Sequence, residues 1–207
     1  MSKSDPDQSS TTEAIREQFE FLPYPDIAID QPFKGGRELL FRHNLTTPFY
    51  RKDQQLKLTE GSRILDAGCG TGYKALVLAN ANPGASIVGV DISEKSVSIA
   101  KQRLDHHGFG NTAFHVVPLE DIASIGQEFD YINCDETLYL LLNPQLGLEA
   151  MRSVLKPGGV LRVNFHSQFQ RMDYFRAQQV GQLLGALTHT DQEAGIGLFR
   201  SAMQALK

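Results

Sequence analysis

From residue 63 onward, short apolar runs alternate with amphipathic stretches, and this alternation limits the possible folds more than any other feature of the chain. "RILDAG", "SIVGVD", "TAFHVV", "EFDYINCD" and "VLRVNFHS" read as strands. Three helical stretches lie between them. "YKALVLANANPG" ends at a Pro-Gly stop. "SEKSVSIAKQRLDHHG" has Ser93 as its cap and Val97, Ala100 and Leu104 on one face. "NPQLGLEAMRSVL" turns Leu148, Met151 and Leu155 inward. "KPGG" reads as a tight turn into the last strand. Strands separated by helices must be joined by crossovers, which makes the sheet parallel and requires cover on both faces. Those crossovers are right-handed in nearly every case. The expected fold class is therefore α/β: a doubly wound, mostly parallel sheet with helices on both faces.

The chain has 207 residues, enough for one such domain with an extension, and its 41% apolar content supports a core. Residues 1–12 read as a disordered tail, 13–58 as a helical segment, 59–167 as the sheet domain and 168–207 as a helical C-terminal segment. Ser10 and Glu13 have capping-box spacing, and Ile15, Phe19 and Leu22 share a side. A second helix is expected over "RELLFRHNLTTPFY", and Ile196, Phe199, Met203 and Leu206 lie on one side of a last one. The formal charge of −4 disfavours a nucleic-acid partner. No run approaches the roughly 20 apolar residues of a membrane span, so no membrane partner is expected. Two cysteines, Cys69 and Cys134, make no disulfide framework and read as small buried side chains. Together these features suggest a cytoplasmic protein. His106 and His107 have no ligands at metal spacing, His115 reads as structural, and no metal is expected.

"RILDAGCGTGY", residues 63–73, places Asp66 in an apolar run and follows it with Gly68, Gly70 and Gly72. In open parallel sheets, ligands bind beyond the carboxyl ends of the strands. Glycines there let the backbone turn sharply and approach a ligand, although such glycines also serve as plain turn residues. The nicotinamide pattern G-x-G-x-x-G would need glycine where Tyr73 stands, and Asp66 is ill suited to a bound pyrophosphate. A nicotinamide oxidoreductase is disfavoured on both counts.

The stretch resembles the S-adenosylmethionine (SAM) loop of class I methyltransferases, in which D-x-G-x-G-x-G follows the first strand. Four further pieces resemble that family in order: Asp91 closing "IVGVD", "PLEDI" at 118–122, "FDYINCDETLYLL", and "VLKPGGVL" at 154–161. The resemblance spans about residues 60–167. It implies a Rossmann-like methyltransferase using S-adenosyl-L-methionine. In that role Gly68, Cys69 and Gly70 wrap the amino-acid end, Asp66 orients its ammonium through the loop or water, Asp91 takes the ribose hydroxyls, Ile92 lies on the adenine, and Glu120 or Asp121 accepts from its amino group. Asp91 could instead serve the dipole of the helix that Ser93 caps. Catalytic residues stay unassigned. Glu136, Tyr139 and His166 are the candidates nearest the acceptor, with Tyr139 standing where the family often has a histidine. "REQFEFLPYP" resembles a lid segment of some small-molecule methyltransferases, from which Tyr24, Arg42 and His43 would reach the pocket.

The family's sheet ordinarily has seven strands, and this chain gives signals for five. It is read as lacking the last two, either as part of a longer protein or as a fold completed differently. Self-association through the exposed edge of the fifth strand is then expected. The functional expectation is methyl transfer to a small-molecule acceptor. The alternative is a regulatory module that binds SAM or another adenosine ligand without turnover.

Overall fold

The computed structural model describes residues 8–205. Most of the expected tail, and Leu206, lie outside them. Residues up to Asn164 form one compact unit and residues from Phe165 onward a second.

The first unit holds five strands: β1 Arg63–Ala67, β2 Ser86–Asp91, β3 Thr112–Val116, β4 Phe129–Cys134 and β5 Leu155–Val163. They pair in the order β3-β2-β1-β4-β5, every pair parallel. The winding reverses between β1 and β4, the point where an open sheet leaves a crevice at its carboxyl ends. Successive residues point to opposite faces. On one side Ile64, Ile87 and Tyr131 pack under α4 (Tyr73–Ala81) and α5 (Glu94–His106), joined by Leu45 and Phe49. On the other, Leu65, Val88 and Ile132 pack against Ile122 and against Met151 of α6 (Pro144–Ser153). Ile64, Leu65 and Ile132 are wholly buried, each worth roughly 1.5–3 kcal/mol in removal from water. Ser93 caps α5 by accepting the Ser96 N–H at 3.0 Å, and Val97, Ala100 and Leu104 are buried along it.

Several expectations need correction. Helix α1 runs Gln8–Phe21, so residues 8–12 are helical rather than tail. The single helix expected over 37–50 is two, α2 Arg37–His43 and α3 Thr46–Asp53. Asn44 makes the break. Its Oδ1 accepts the Thr46 N–H at 2.8 Å, and its Nδ2 donates to the Ala81 carbonyl at 2.6 Å. Pro48 thereby sits in the first turn of α3, where its missing N–H costs nothing, instead of mid-helix. "KPGG" lies inside β5 as a bulge. Pairing passes from Phe129–Leu155 to Tyr131–Val160, so β5 advances five residues while β4 advances two, with Gly158 at φ +79°. Leu155 opens β5 instead of closing α6.

The second unit contains α7 Met172–Leu183, a short 3-10 turn at Ala186–Thr188, and α8 Gln192–Ala205. Gly195 of α8 packs so closely on the Ala186 carbonyl that a Cβ would sit 2.5 Å from it. Phe199 and Met203 are half-buried, but Ile196 is exposed, so the inward side of α8 is rotated from the one read off the sequence. Among the described residues, no helix is long and apolar enough to cross a membrane.

Candidate functional site

The glycine loop leaves β1 with Gly68, Gly70 and Gly72 at φ +78°, +50° and +81°, a region side chains rarely adopt. It folds back over β2, where the Gly68 and Cys69 N–H groups both donate to the Val90 carbonyl, at 2.9 and 2.8 Å. The Gly70 N–H donates to Asp91 Oδ2 at 2.8 Å, and the Ser93 N–H to Asp91 Oδ1 at 3.0 Å. Burial raises the Asp91 pKa, and these backbone bonds pull against that rise. Added Cβ atoms would collide with protein: with Thr137 at Gly68, with the Tyr24 carbonyl oxygen at Gly70, and with Ala100 at Gly72.

The contact at Tyr24 belongs to a strap formed by residues 19–29. The Thr71 N–H donates to the Tyr24 carbonyl at 3.0 Å and the Thr71 hydroxyl to the Pro25 carbonyl at 2.7 Å. Arg103 of α5 is wholly buried. It donates to the Thr71 carbonyl at 2.8 Å and to the Ile27 and Ala28 carbonyls at 2.6 and 2.8 Å, tying loop to strap. Glu20 caps α5 by accepting the Glu94 N–H at 2.5 Å.

These elements enclose a cavity of about 330 Å³ over the carboxyl ends of the strands, within the size range of small-molecule sites. Gly68, Cys69, Gly70, Asp91, Ile92, Glu120 and Glu136 are all in its wall, joined by Tyr24, Lys74 and Asp135, with Ile15 and Phe19 of α1 and Leu140 and Leu141 supplying apolar cover. Asp121 is exposed on the 3-10 turn Leu119–Ile125, one residue past the wall-lining Glu120. Tyr139 donates its hydroxyl to Glu136 Oε2 at 2.7 Å, and Asn164 Nδ2 donates to Glu136 Oε1 at 2.6 Å. Glu136 itself stands at φ +61°, fixed by its N–H bond to Asn164 Oδ1 at 2.7 Å. His166 falls in the second unit. Arg42 turns to Glu38 at 2.6 Å on an exposed helix face. Cys69 and Cys134 are buried and free, and burial pushes the Cys134 thiol up to about 12.

Asp66 is buried behind the loop and is not in the cavity wall. Asn133 Nδ2 donates to its Oδ1 at 2.9 Å, while its buried Oδ2 meets no partner among the described residues. Burial raises its pKa to about 7 against the pull of the Asn133 bond and of Lys74. Beyond the end of β4, Asp135 gathers Lys74 Nζ at 2.5 Å, Arg162 at 3.2 Å and His43 Nε2 at 3.8 Å. Burial would raise the Asp135 pKa, but the surrounding nitrogens outweigh it and hold the carboxyl well below the usual range. His43 Nδ1 lies 2.9 Å from the Leu39 carbonyl, which leaves Nε2 turned toward Asp135. The sequence reading passed over Asp135, Lys74 and Arg103. For Asp135 a signal was present, since it follows β4 much as Asp91 closes β2.

A family model described as a methyltransferase domain matches residues 58–194. An uncharacterised protein of a Synechococcus strain is 36% identical over 145 residues, 70% of this chain and 35% of that protein. The magnesium-protoporphyrin O-methyltransferase of Rhodobacter capsulatus is 42% identical over 87 residues, 42% of this chain and 37% of that one. The chain thus spans little more than a third of either protein. Among solved structures, magnesium protoporphyrin IX methyltransferase from Synechocystis, with bound S-adenosylhomocysteine (SAH), is similar at a TM-score of 0.60 and 21% identity. That match covers 84% of this chain and 79% of that one.

Proposed function

Because the chain belongs to the class I methyltransferase family, we propose that it binds S-adenosyl-L-methionine in this cavity and transfers the methyl group to a small-molecule acceptor. One observation carries the reading: the glycine loop, Asp91 and Glu120, contributed by three separate segments, line a single cavity at the carboxyl ends of adjacent strands. When bound, the cofactor supplies a methyl group on a positively charged sulfur. The residues suit such a ligand. Asp91 is fixed by two backbone N–H groups and keeps lone pairs for ribose hydroxyls, an ionised acceptor worth roughly 1.5–3 kcal/mol. Glu120 is available to the adenine amino group, and half-buried Ile92 to the face of the base. Asp91, Glu120, Asp135 and Glu136 outnumber Lys74 among the charged wall residues, an acidic lining matched to a cationic cofactor.

Glu136, braced by Tyr139 and Asn164, shapes the acceptor end. Ile15, Phe19, Leu140 and Leu141 exclude water, so that positioning and desolvation carry much of the rate. A small-molecule acceptor agrees with the Rhodobacter relative, whose name gives magnesium-protoporphyrin as its acceptor. The test has two steps. Calorimetry with SAM and SAH measures binding, and release of labelled methyl groups to a metabolite panel measures turnover. No binding refutes the cofactor assignment. Binding without any transfer favours a regulatory module.

A further inference from the structure

We propose that Asp66 sets the chain's preference for SAM over the product SAH: its carboxyl releases a proton to solvent when the cationic cofactor binds, and regains one from solvent once methyl transfer has left a neutral sulfur. The proposal rests on the cofactor reading above and deepens it.

Geometry isolates this carboxyl. Asp66 is 1% exposed, behind the loop, and its Oδ2 meets no partner among the described residues. The loop amides that follow it are committed elsewhere. Gly68 and Cys69 donate to the Val90 carbonyl, Gly70 to Asp91 and Thr71 to the Tyr24 carbonyl. Asn133 Nδ2 supports Oδ1. A buried charge with so little support is costly, so the neutral acid competes with the carboxylate. Burial accordingly raises the pKa to about 7.

The groups around Asp66 couple it to the cavity. Asp91 and Asp135 close the strands on either side of β1 and push its pKa up, while Lys74 of α4 pulls it down. All three are in the cavity wall. Cys69 in the loop and Tyr131 and Cys134 of β4 also feel the Asp66 charge, and burial keeps these three protonated. Arg162 of β5 and His43 of α2 stand one step further off. Arg162 meets Asn133 and Asp135, and His43 faces Asp135. A cation seated among wall residues that act on Asp66 acts on it too, and favours the carboxylate.

SAM brings a net positive charge, and SAH brings none. Transfer breaks the S–CH3 bond and leaves its electron pair on sulfur. The acceptor's own electron pair forms the new bond to the methyl carbon, and the acceptor's proton goes to solvent. The cavity thereby loses its positive charge, and Asp66 takes a proton back. An ionised Asp66 holds SAM more tightly than SAH, which favours departure of the product.

A unit charge about 10 Å away, at an effective dielectric of about 20, changes the acid constant about tenfold. At pH 6.5 the proton on Asp66 then falls from about three-quarters occupied to about one-quarter, a release of about half a proton per SAM bound. Calorimetry of SAM and SAH at pH 6.5, in two buffers of different ionisation enthalpy, counts these protons. The parent is expected to release about half a proton more with SAM than with SAH, and Asp66→Asn to lose that difference. Between pH 5.5 and pH 7.5 the ratio of SAM to SAH affinity should rise about fivefold in the parent and stay within about twofold in Asp66→Asn. Lys74→Met removes a cation that pulls the Asp66 pKa down. It should move the pH of greatest release upward, and it decides the matter if Asp66→Asn fails to fold. Equal release with SAM and SAH in the parent, an undiminished difference in Asp66→Asn, or an unmoved pH in Lys74→Met overturns the proposal while the cofactor reading stands. A parent that binds neither ligand overturns both.

Discussion

Replacing Asp66 by Asn isolates one heavily penalised carboxylate ionisation. Asp66 is wholly buried, one oxygen bonded to Asn133 and the other without a partner among the described residues, and burial raises its pKa from 3.8 to about 7. A native pKa above the unfolded one means that the folded state holds a proton the unfolded chain has released. The stability that this proton carries is complete below about pH 4 and is lost as pH rises to about 7. A shift of about 3 units corresponds to about 4 kcal/mol across that window. Asn cannot ionise, so the variant lacks this loss. Its amide leaves one buried donor group unsatisfied, costing about 1–3 kcal/mol at every pH. The expected signature is therefore a crossover: Asp66→Asn less stable than the parent near pH 4.5 and more stable near pH 8. The difference between the two proteins should change by about 3–4 kcal/mol over that range. Asp130, whose pKa is lowered, tilts both proteins equally and cancels. Urea unfolding at five pH values supplies the numbers. A stability difference constant within about 0.5 kcal/mol from pH 4.5 to pH 8 would refute the reasoning.

Three further outcomes can be checked. Asp91→Ala removes both the ribose acceptor and the carboxylate that fixes the Gly70 and Ser93 N–H groups. SAM affinity should fall about tenfold to a hundredfold with far-UV circular dichroism preserved, and unchanged affinity in calorimetry counts against the ribose assignment. Gly70→Val drives a Cβ onto the Tyr24 carbonyl, so it should abolish SAM binding and also open residues 19–29 to protease. A strap that stays protease-resistant would contradict the packing described. Arg103→Met leaves the Thr71, Ile27 and Ala28 carbonyls without their donor. It should cost about 3 kcal/mol or more in chemical denaturation, and a loss under 1 kcal/mol would mean that water replaces the guanidinium.

The sheet and the acids of its cavity wall were legible because their signals are local. Three glycines directly follow β1, Asp91 closes β2, and five apolar runs alternate with helices. The helix break at Asn44 depended on one side chain reaching Ala81, 37 positions away. Arg103 reads in sequence as one more polar residue of an amphipathic helix. Its partners are backbone carbonyls 32, 75 and 76 positions distant, and a carbonyl leaves no trace in residue identity. Choosing between Glu120 and Asp121 needed the rotation of a 3-10 turn, which composition does not encode. Asp66 precedes the loop, and the alternation of β1 turns it inward behind that loop, beside Asn133 on the neighbouring strand, so that only an action through the loop or water is open to it.

The strap bears on where this fold can be cut. The family match begins at residue 58, and an experimenter trimming to that limit would keep every strand, α4, α5 and the whole glycine loop. The trimmed chain would nonetheless expose a guanidinium whose three acceptors include two lost carbonyls. It would also leave the Thr71 amide and hydroxyl unmatched and take from α5 the Glu20 carboxylate that supplements the Ser93 cap. Similarity in sequence marks the part of the molecule shared with relatives. The smallest piece that can stand alone reaches further back, to residues whose contribution is their main chain.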